Sequence, residues 1–262
     1  KITRGIEGSS WSNPWYKWFL NFFTDPYFGR LLKNTFLISG LTILFGFPAP
    51  IILALMINEV KNSAFKRTVQ TITYMPYFIS MVVLCGLLKT FCMQDGLFAQ
   101  IAVLFGGKAQ NYLANPAYFR TIYVLSDIWS GIGWNSIIYL AALSSIDQEQ
   151  YEAARVDGAN RFQQMLHITL PGLVPTIMVL FILRMGNILN VGYEKILLLY
   201  NSATYSTADV ISTYTYRLSF GGSGNPMYSK STAIGLFNTI INVFFLMLTN
   251  MISKKATDAG LF

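Results

Sequence analysis

Residues Tyr151–Pro171 read YEAARVDGANRFQQMLHITLP, and this polar stretch separates two strongly apolar ones. The preceding Asp147 predicts the N-cap of a short helix, because an Asp side chain accepts hydrogen bonds from the free backbone N–H groups there. Gly158 predicts a bend, and Asn160 predicts the cap of a second short helix that ends near residue 167. A polar helical hairpin between two apolar helices is suited to docking on a soluble partner.

The composition of the chain indicates an integral membrane protein. Of its 262 residues, 53% are hydrophobic and 12% are charged, whereas a soluble domain has about 25% charged residues. The mean hydropathy is +0.44. The net charge of +7 is attributed to membrane topology, which concentrates Lys and Arg in cytoplasmic loops, because the sequence contains no nucleic-acid-binding motif.

Long apolar stretches predict an all-α protein with five membrane-spanning helices in this chain. Prolines interrupt the first two spans, among them Pro76 in the second, and they predict kinked helices. Pro171 marks the start of the fourth span, where a helix tolerates its missing N–H group. The five spans are expected at about 34–58, 68–91, 118–143, 172–191 and 232–252.

The sequence shows no motif for a disulfide, a metal site or a nucleotide site. Cys85 and Cys92 lie seven residues apart on one predicted helix, which corresponds to roughly 10 Å of rise and is too long for a disulfide. We expect two buried free thiols. The sequence has one histidine and no recognisable set of metal ligands, and it lacks the GxxxxGK[ST] motif of ATP-binding loops. We therefore expect no metal site, no cofactor and no ATP site in this chain.

Three clusters at fixed spacing stand inside the polar stretch, and together they resemble the EAA loop of ABC importer permeases. They are Glu152-Ala153-Ala154, Asp157-Gly158-Ala159 and Ile168-Thr169-Leu170-Pro171. A weaker resemblance to the oligo- and polysaccharide branch of the carbohydrate-uptake permeases extends over nearly the whole chain. It rests on Asp25-Pro26-Tyr27-Phe28, Asn34-Thr35, residues 45–50, Ser126-Asp127-Ile128-Trp129, residues 188–200 and residues 208–214.

The resemblance implies a type I ABC importer permease fold, with a sixth span upstream of the five. It also implies that the loop 145–171 is cytoplasmic and inserts into a cleft of an ATPase subunit. Glu152 and Gly158 match the motif, and Gly158 would allow the tight bend. The other residues to which we assign ATPase coupling are Ala153, Ala154, Arg155, Asp157 and Arg161. The alternative is a solvated amphipathic loop without a partner.

The partners implied by the resemblance are a second permease, expected to be a different chain, two ATPase subunits and an extracytoplasmic solute-binding protein. ATP and Mg would be bound by the ATPase subunits. The expected location is the bacterial cytoplasmic membrane, with several spans, and the expected substrate is a saccharide. The chain itself would line the path and transmit force without catalysing a reaction.

The distribution of Lys and Arg sets the expected orientation. If the loop 145–171 is cytoplasmic, then 59–67 and the C-terminal end are cytoplasmic too, and the external segment is 192–231. Residues 1–33 form an aromatic, interfacial segment that is expected outside, although its basic residues count against this side. Residues 34–262 would then be the transmembrane permease domain.

Two ionisable residues are predicted inside the spans. Asp127 and Arg184 both lie some 10 to 14 Å below the outer surface, at about 1.5 Å per residue. An isolated charge at that depth is costly, so such residues pair with each other or face a wet cavity. The two readings are compatible and both stay open. A guanidinium facing a cavity suits a carboxylate, which motivates the hypothesis of an acidic, uronate-containing saccharide.

Amide and indole side chains complete the predicted substrate pathway. Asn187 and Asn190 follow Arg184 at spacings of three, near one side of the fourth span. Trp129, Trp134 and Asn135 lie on the third span. Sugars are bound by amide hydrogen bonds and by stacking of their C–H faces on aromatic rings. The alternative for each amide is a hydrogen bond that joins two helices.

Two rival functions remain open. An ion-coupled secondary sugar transporter would use an intramembrane charge such as Asp127 but has no need of an ATPase-docking loop. A membrane-embedded glycan enzyme would need paired catalytic carboxylates, for which Glu194 and Asp209 are the external residues available. No supporting motif accompanies them.

Overall fold

The computed structural model describes residues 14–221, 226–257 and 260–261. Trp11 and the other residues before Pro14, which belong to the predicted interfacial segment, lie outside the described residues. The described part of the chain consists of helices and connecting turns, with no strand. The helices are α1 Lys17–Phe23, α2 Phe28–Leu41, α3 Pro48–Glu59, α4 Ser63–Tyr74, α5 Met81–Cys92, α6 Leu97–Leu104, α7 Pro116–Ser144, α8 Gln148–Val156, α9 Arg161–Gln164, α10 Leu170–Met185, α11 Tyr193–Leu199, α12 Tyr205–Ala208, α13 Ile211–Phe220 and α14 Tyr228–Thr257.

The chain divides into two compact units, each built from three separate stretches of sequence. The first unit comprises Lys1–Gly40, Met81–Ile122 and Ile188–Val243. The second comprises Leu41–Ser80, Tyr123–Asn187 and Phe244–Phe262.

An aromatic cluster forms part of the core of the first unit. Phe22, Leu31, Ile211 and Ile234 are buried together. The ring of Phe28 meets Phe22 edge to face, with ring centroids 5.0 Å apart, which is the geometry that aromatic quadrupoles favour. This packing ties α1 to α2, α13 and the start of α14.

The core of the second unit joins α3, α7 and α10. Ala54, Tyr139, Leu143 and Leu173 are buried against one another. The backbone of α7 also approaches α4 very closely at Gly133, where an added Cβ would lie 2.1 Å from the carbonyl oxygen of Thr73. Only glycine fits there, so Gly133 allows the backbones of α7 and of the end of α4 to pack in direct contact.

Four helical stretches are long and apolar enough to cross a membrane: Phe28–Glu59, Met81–Leu104, Arg161–Met185 and Tyr228–Thr257. The helix α7 has 29 residues, which at about 1.5 Å per residue is also long enough, but it is more polar. An all-helical, polytopic architecture is thus confirmed. The third predicted span coincides with α7, and its crossing of the membrane stays a prediction.

The helices of the first two spans differ from the predicted bounds, although the predicted interruption of the second span at Pro76 is confirmed. The first helix already begins at Phe28, six residues before the expected start, and a π-helical stretch at Thr42–Gly46 precedes the prolines. The second span is not one helix over 68–91. A 3-10 turn at Met75–Phe78 breaks it, because Pro76 lacks an N–H group, and the apolar stretch runs from Met81 instead.

The fourth span also differs from the prediction at both ends. The second helix of the hairpin does not end near residue 167, because α9 continues through a π-helical turn, Met165–Thr169, into α10. At the other end α10 stops at Met185. Asn187 and Asn190 therefore follow the helix instead of extending the face of Arg184, so their predicted shared helical face is wrong.

The prediction for the two cysteines is confirmed. Cys85 and Cys92 lie on the same helix, α5, and both are buried free thiols.

Candidate functional site

The first half of the polar hairpin is a capped helix that ends in a glycine bend. The side chain of Asp147 accepts a hydrogen bond from the backbone N–H of Glu149 at 3.0 Å, as the predicted N-cap of α8. Gly158 has a φ of +80°, a left-handed conformation that other L-residues adopt at a cost of about 1–2 kcal/mol. The predicted cap and bend are both confirmed.

The second half begins with a reciprocal cap. The side chain of Asn160 accepts a hydrogen bond from the N–H of Gln163, whose own side chain accepts one from the N–H of Asn160, at 2.9 and 2.8 Å. Gln164 donates to the carbonyl of Ala159. Two orphan backbone donors are thereby satisfied, which fixes the direction in which the chain leaves the bend.

The hairpin is fastened to the second unit at two places. The hydroxyl groups of Tyr151 and of the buried Thr169 lie 3.0 Å apart. The guanidinium of Arg161 lies 3.7 Å from the carboxylate of Glu59 at the end of α3. Between these contacts is a cleft of about 900 Å³ with polar walls, lined in part by Glu59, Lys61 and Arg155. These contacts hold the hairpin in a defined conformation against the second unit.

Most of the predicted coupling residues are exposed on this hairpin. Glu152, Ala153, Arg155, Asp157, Gly158 and Arg161 are exposed, while Ala154 is half-buried. Val156 and Phe162, which are not among the predicted coupling residues, expose 88% and 64% of their surface. Apolar side chains exposed on an otherwise charged element indicate a surface that a partner covers. The signal in the sequence was an apolar residue on each side of the glycine bend.

A second group of residues forms an aromatic platform, defined here as Tyr77, Phe78 and Trp134, in the second unit. The rings of Tyr77 and Trp134 are stacked, with centroids 4.7 Å apart and an interplanar angle of 6°. Phe78 meets Trp134 edge to face. All three rings are well exposed. The platform combines Trp134, which was predicted as a pathway residue, with Tyr77 and Phe78, which were not. The signal in the sequence was Pro76, because it marks the turn on which Tyr77 and Phe78 lie.

The other predicted residues on α7 differ in their exposure. Trp129 and Asn135 are exposed, and Asp127 is half-buried. Arg184 on α10 is exposed, and within the described residues no salt bridge joins it to Asp127. Both readings for this pair, the ion pair and a side chain that faces a wet cavity, stay predictions.

The two predicted asparagines lie in the segment that follows α10. Both are exposed. The side chain of Asn187 donates a hydrogen bond to the carbonyl of Leu183, and Asn190 lies in the first unit.

In the first unit, Asp209 is a buried carboxylate that accepts hydrogen bonds from two arginines. Its side chain is 1% exposed, and its carboxylate lies 2.8 Å from Arg217 and 3.5 Å from Arg30. Thr213 donates a hydrogen bond to it as well. Burial alone would lower the pKa of Arg217, but the hydrogen bond and charge of Asp209 outweigh it and raise that pKa. Glu194 is exposed on α11.

A second buried carboxylate ties the N-terminal segment to α13 and α14. Asp25 accepts hydrogen bonds from Lys230 at 2.7 Å and from the hydroxyl of Tyr214 at 2.5 Å. Burial would raise the pKa of Asp25, but the hydrogen bonds from Lys230, Tyr214 and the N–H of Tyr27 lower it overall. Its carboxylate is therefore charged in the folded protein at neutral pH.

Comparisons with known proteins agree with this architecture. Residues 46–258 match the family described as binding-protein-dependent transport system inner membrane component. The polygalacturonan/rhamnogalacturonan transport system permease protein YteP of Bacillus subtilis is 41% identical over 98% of this chain and 79% of its own.

Two solved structures are similar over most of the chain. One is a bacterial ABC transporter involved in the import of the acidic polysaccharide alginate, with a TM-score of 0.88 and 46% identity over 92% of this chain and 84% of that chain. The other is the bacterial alginate ABC transporter in complex with an alginate pentasaccharide-bound periplasmic protein, at the same score and identity, over 93% and 84%.

The family match favours a binding-protein-dependent permease over the ion-coupled carrier and over the membrane enzyme. The residues that match the family, 46–258, include the polar hairpin, α7 and α10. The chain therefore belongs to the family of binding-protein-dependent transport system inner membrane components, as a multi-pass permease subunit of an ABC importer.

Proposed function

We propose that this subunit imports an acidic oligo- or polysaccharide across the cytoplasmic membrane. It acts with a second permease of different sequence, two ATPase subunits and an extracytoplasmic solute-binding protein. The similarity to the alginate transporter, which was crystallised with a saccharide-bound periplasmic protein, supports both the substrate class and the binding protein. The single observation on which the proposal most depends is the exposed polar hairpin at 145–171.

The hairpin is the surface for the ATPase. Val156 and Phe162 would be desolvated in the ATPase cleft, while Glu152, Arg155 and Asp157 make charged contacts around them. ATP and Mg are bound by the ATPase, so this chain needs no nucleotide site. The caps at Asp147 and Asn160 keep the hairpin rigid, which allows it to transmit a displacement to α7 and α10.

This role sets the orientation of the chain. The hairpin, residues 59–67 and the C-terminal end face the cytoplasm. Residues 1–33 and the segment 192–231 face outwards, and the latter contacts the binding protein. When ATP closes the ATPase dimer, the hairpins move with it, and the spans rearrange as nearly rigid bodies to open the cavity outwards.

The substrate pathway combines aromatic and charged groups. The platform of Tyr77, Phe78 and Trp134 offers faces on which pyranose rings stack, and Trp129 offers another. Asn135, Asn187 and Asn190 supply amides for sugar hydroxyls. Arg184 is the group for a carboxylate, because it is exposed and has no salt-bridge partner in the described part of the chain. Polygalacturonan and alginate are both polymers of uronic acids, which is consistent with an arginine in the path.

The proposal is tested by uptake into proteoliposomes that contain the complete transporter, with binding protein outside and ATP inside. The substrates are a radiolabelled uronate trisaccharide and its carboxyl-reduced, neutral analogue. We expect ATP-dependent uptake of the acidic form, little uptake of the neutral form, and about tenfold less acidic uptake with Arg184→Ala. Lys89→Ala removes an exposed basic residue from another apolar helix and should have little effect.

Two results would refute the proposal in different ways. Uptake that persists without ATP and follows an ion gradient would contradict the ABC mechanism. Equal uptake of the acidic and neutral trisaccharides, with Arg184→Ala unchanged, would contradict the acidic substrate but leave the mechanism intact.

A further inference from the structure

The first unit contains a basic cluster with more positive charge than its carboxylate compensates. Arg30 and Arg217 approach the same oxygen of Asp209, at 3.5 and 2.8 Å. Among the described residues, Asp209 is the one carboxylate in a salt bridge with either of them. The nearby Asp25 does not contribute, because it is paired with Lys230. The cluster therefore has an excess of one positive charge.

Arg120 adds a third guanidinium on the same network. It donates a hydrogen bond to the side-chain oxygen of Asn34 at 2.8 Å, and Asn34 donates in turn to the backbone carbonyls of Asp209 and Ser206. The network is thus anchored through α2, α7 and the segment between α12 and α13. It holds the guanidinium groups in fixed positions before any ligand arrives.

The two arginines on Asp209 keep donors that the protein does not use. Arg30 Nε and Arg217 Nη1 have no hydrogen-bond partner among the described residues. Both side chains remain partly accessible, at 38% and 31%, although Asp209 is 1% exposed. The two unpaired nitrogens are themselves buried, so a ligand from solution would meet the accessible part of each arginine side chain. Two partly accessible arginines beside a single, already neutralised carboxylate are suited to a second carboxylate.

Exposed tyrosine rings flank this basic cluster. The guanidinium of Arg30 lies 4.8 Å from the ring centroid of Tyr27, which is 51% exposed. That of Arg217 lies 5.4 Å from the ring centroid of Tyr205, which is 36% exposed. Aromatic faces beside fixed guanidinium groups match a sugar acid, whose C–H face stacks on a ring while its carboxylate meets the arginine. An acidic side chain of a partner protein would pair with the guanidinium groups but would not stack on the tyrosine rings.

We propose that Arg30 and Arg217, with Tyr27 and Tyr205, form an outward-facing subsite that takes the carboxylate of a uronate residue as the saccharide enters. The residues of the subsite belong to the first unit, whereas the platform and Arg184 belong to the second. This inference rests on the proposed function, because it needs an acidic saccharide and an external segment 192–231. The subsite would capture the saccharide before it reaches the substrate pathway.

The test uses the complete transporter in nanodiscs and a uronate trisaccharide that carries a photoreactive diazirine. Irradiation labels the residues around the bound sugar, and mass spectrometry locates the label. We expect labelling of the peptides that contain Tyr27 and Tyr205, about tenfold less of it with Arg30→Gln, and little with the carboxyl-reduced probe. Lys33→Gln is the matched control, because Lys33 is an exposed cation on the same helix, α2.

The outcomes separate this inference from the proposed function. If wild-type proteoliposomes import the acidic trisaccharide but these peptides stay unlabelled, or Arg30→Gln and Lys33→Gln label alike, the subsite is refuted and the proposed function stands. If Arg30→Gln weakens docking of the sugar-free binding protein instead, the cluster is a protein contact and the subsite is refuted. If no acidic saccharide is imported at all, both fail.

Discussion

The carboxylate of Glu59 lies 3.7 Å from the guanidinium of Arg161, so the last residue of α3 contacts the first residue of α9 in the polar hairpin. Both side chains are largely exposed, at 44% and 60%. An exposed ion pair of this kind stabilises a protein by about 1 kcal/mol or less. This ion pair therefore contributes little to the stability of the fold, and the exposed guanidinium of Arg161 remains available for the ATPase contact that we propose.

Replacing this arginine separates the two roles. Arg161→Gln should lower the free energy of unfolding by about 1 kcal/mol or less, while ATP-driven uptake falls severalfold because a charged contact with the ATPase is lost. Glu59→Gln breaks the same ion pair from the other side and serves as the control. Equal losses of uptake in both variants would show that the ion pair itself matters and the ATPase contact does not.

The bend of the hairpin should depend on glycine. Gly158 has a φ of +80°, and nothing within 4 Å would clash with an added Cβ, so Gly158→Ala strains only the backbone, by about 1–2 kcal/mol. We expect a reshaped hairpin, lower ATP-driven uptake and a melting temperature lower by only a few degrees. Gly235→Ala, also without a neighbour within 4 Å but inside α14, should leave uptake intact. A Gly158→Ala transporter with normal uptake would contradict the need for this bend.

The aromatic platform should contribute to substrate affinity. Trp134→Ala removes the ring that stacks on Tyr77, and losing one aromatic contact of about 0.5–1.5 kcal/mol predicts a two- to tenfold rise in the apparent KM for uptake. Trp134→Phe keeps an aromatic face and should restore most of the affinity. The ATPase rate stimulated by the binding protein should stay near normal in both variants. An unchanged KM with Trp134→Ala would exclude the platform from the pathway.

The buried Asp25 carboxylate predicts a pH-dependent contribution to stability. Its folded pKa is lowered, so its contribution is present above the unfolded pKa of about 3.9 and is lost as pH falls through the lower folded value. Asp25→Asn leaves the Lys230 ammonium without its carboxylate and should destabilise the protein by roughly 2–4 kcal/mol at pH 7.

Thermal unfolding in detergent, followed from pH 7 to pH 3, measures this effect. The difference between wild type and Asp25→Asn should narrow as the pH drops below about 4. The exposed Asp95 gives the control, because Asp95→Asn should change the melting temperature little at any pH. A gap that stays constant down to pH 3 would show that the charge of Asp25 is not what stabilises the fold.

Features set by local chemistry were predictable from the sequence. The cap at Asp147, the bend at Gly158 and the cap at Asn160 all depend on residues within a few positions of one another, and all are present. The long apolar helices were predictable too, because apolar composition and length determine them, whereas the short helices α6 and α11 to α13 were not predicted. Proline predicted that the second span would be distorted but not that its apolar stretch would begin only at Met81.

Contacts between distant parts of the chain were not predictable. Tyr77 and Trp134 are separated by 57 positions, and nothing local in either stretch indicates that their rings stack. The same holds for Arg30 and Asp209, which α2 and the segment before α13 bring together. The error on Asn187 has a different cause. Gly186 directly follows Met185, and a glycine after the last helical residue, with Arg184 in the last turn, is a signal for the end of a helix that the prediction did not use.

The most direct test of the account is the dependence of ATPase binding on Val156, which is 88% exposed on the hairpin. The tagged chain is purified from its membrane in mild detergent as wild type, Val156→Asp and Val156→Leu, and the accompanying proteins are identified. We predict that wild type and Val156→Leu bring an ATPase and a second permease, whereas Val156→Asp keeps the permease and loses the ATPase. An ATPase that stays bound to Val156→Asp with full ATP-driven uptake, or that never accompanies the wild type, would contradict the claim that this hairpin couples the permease to ATP.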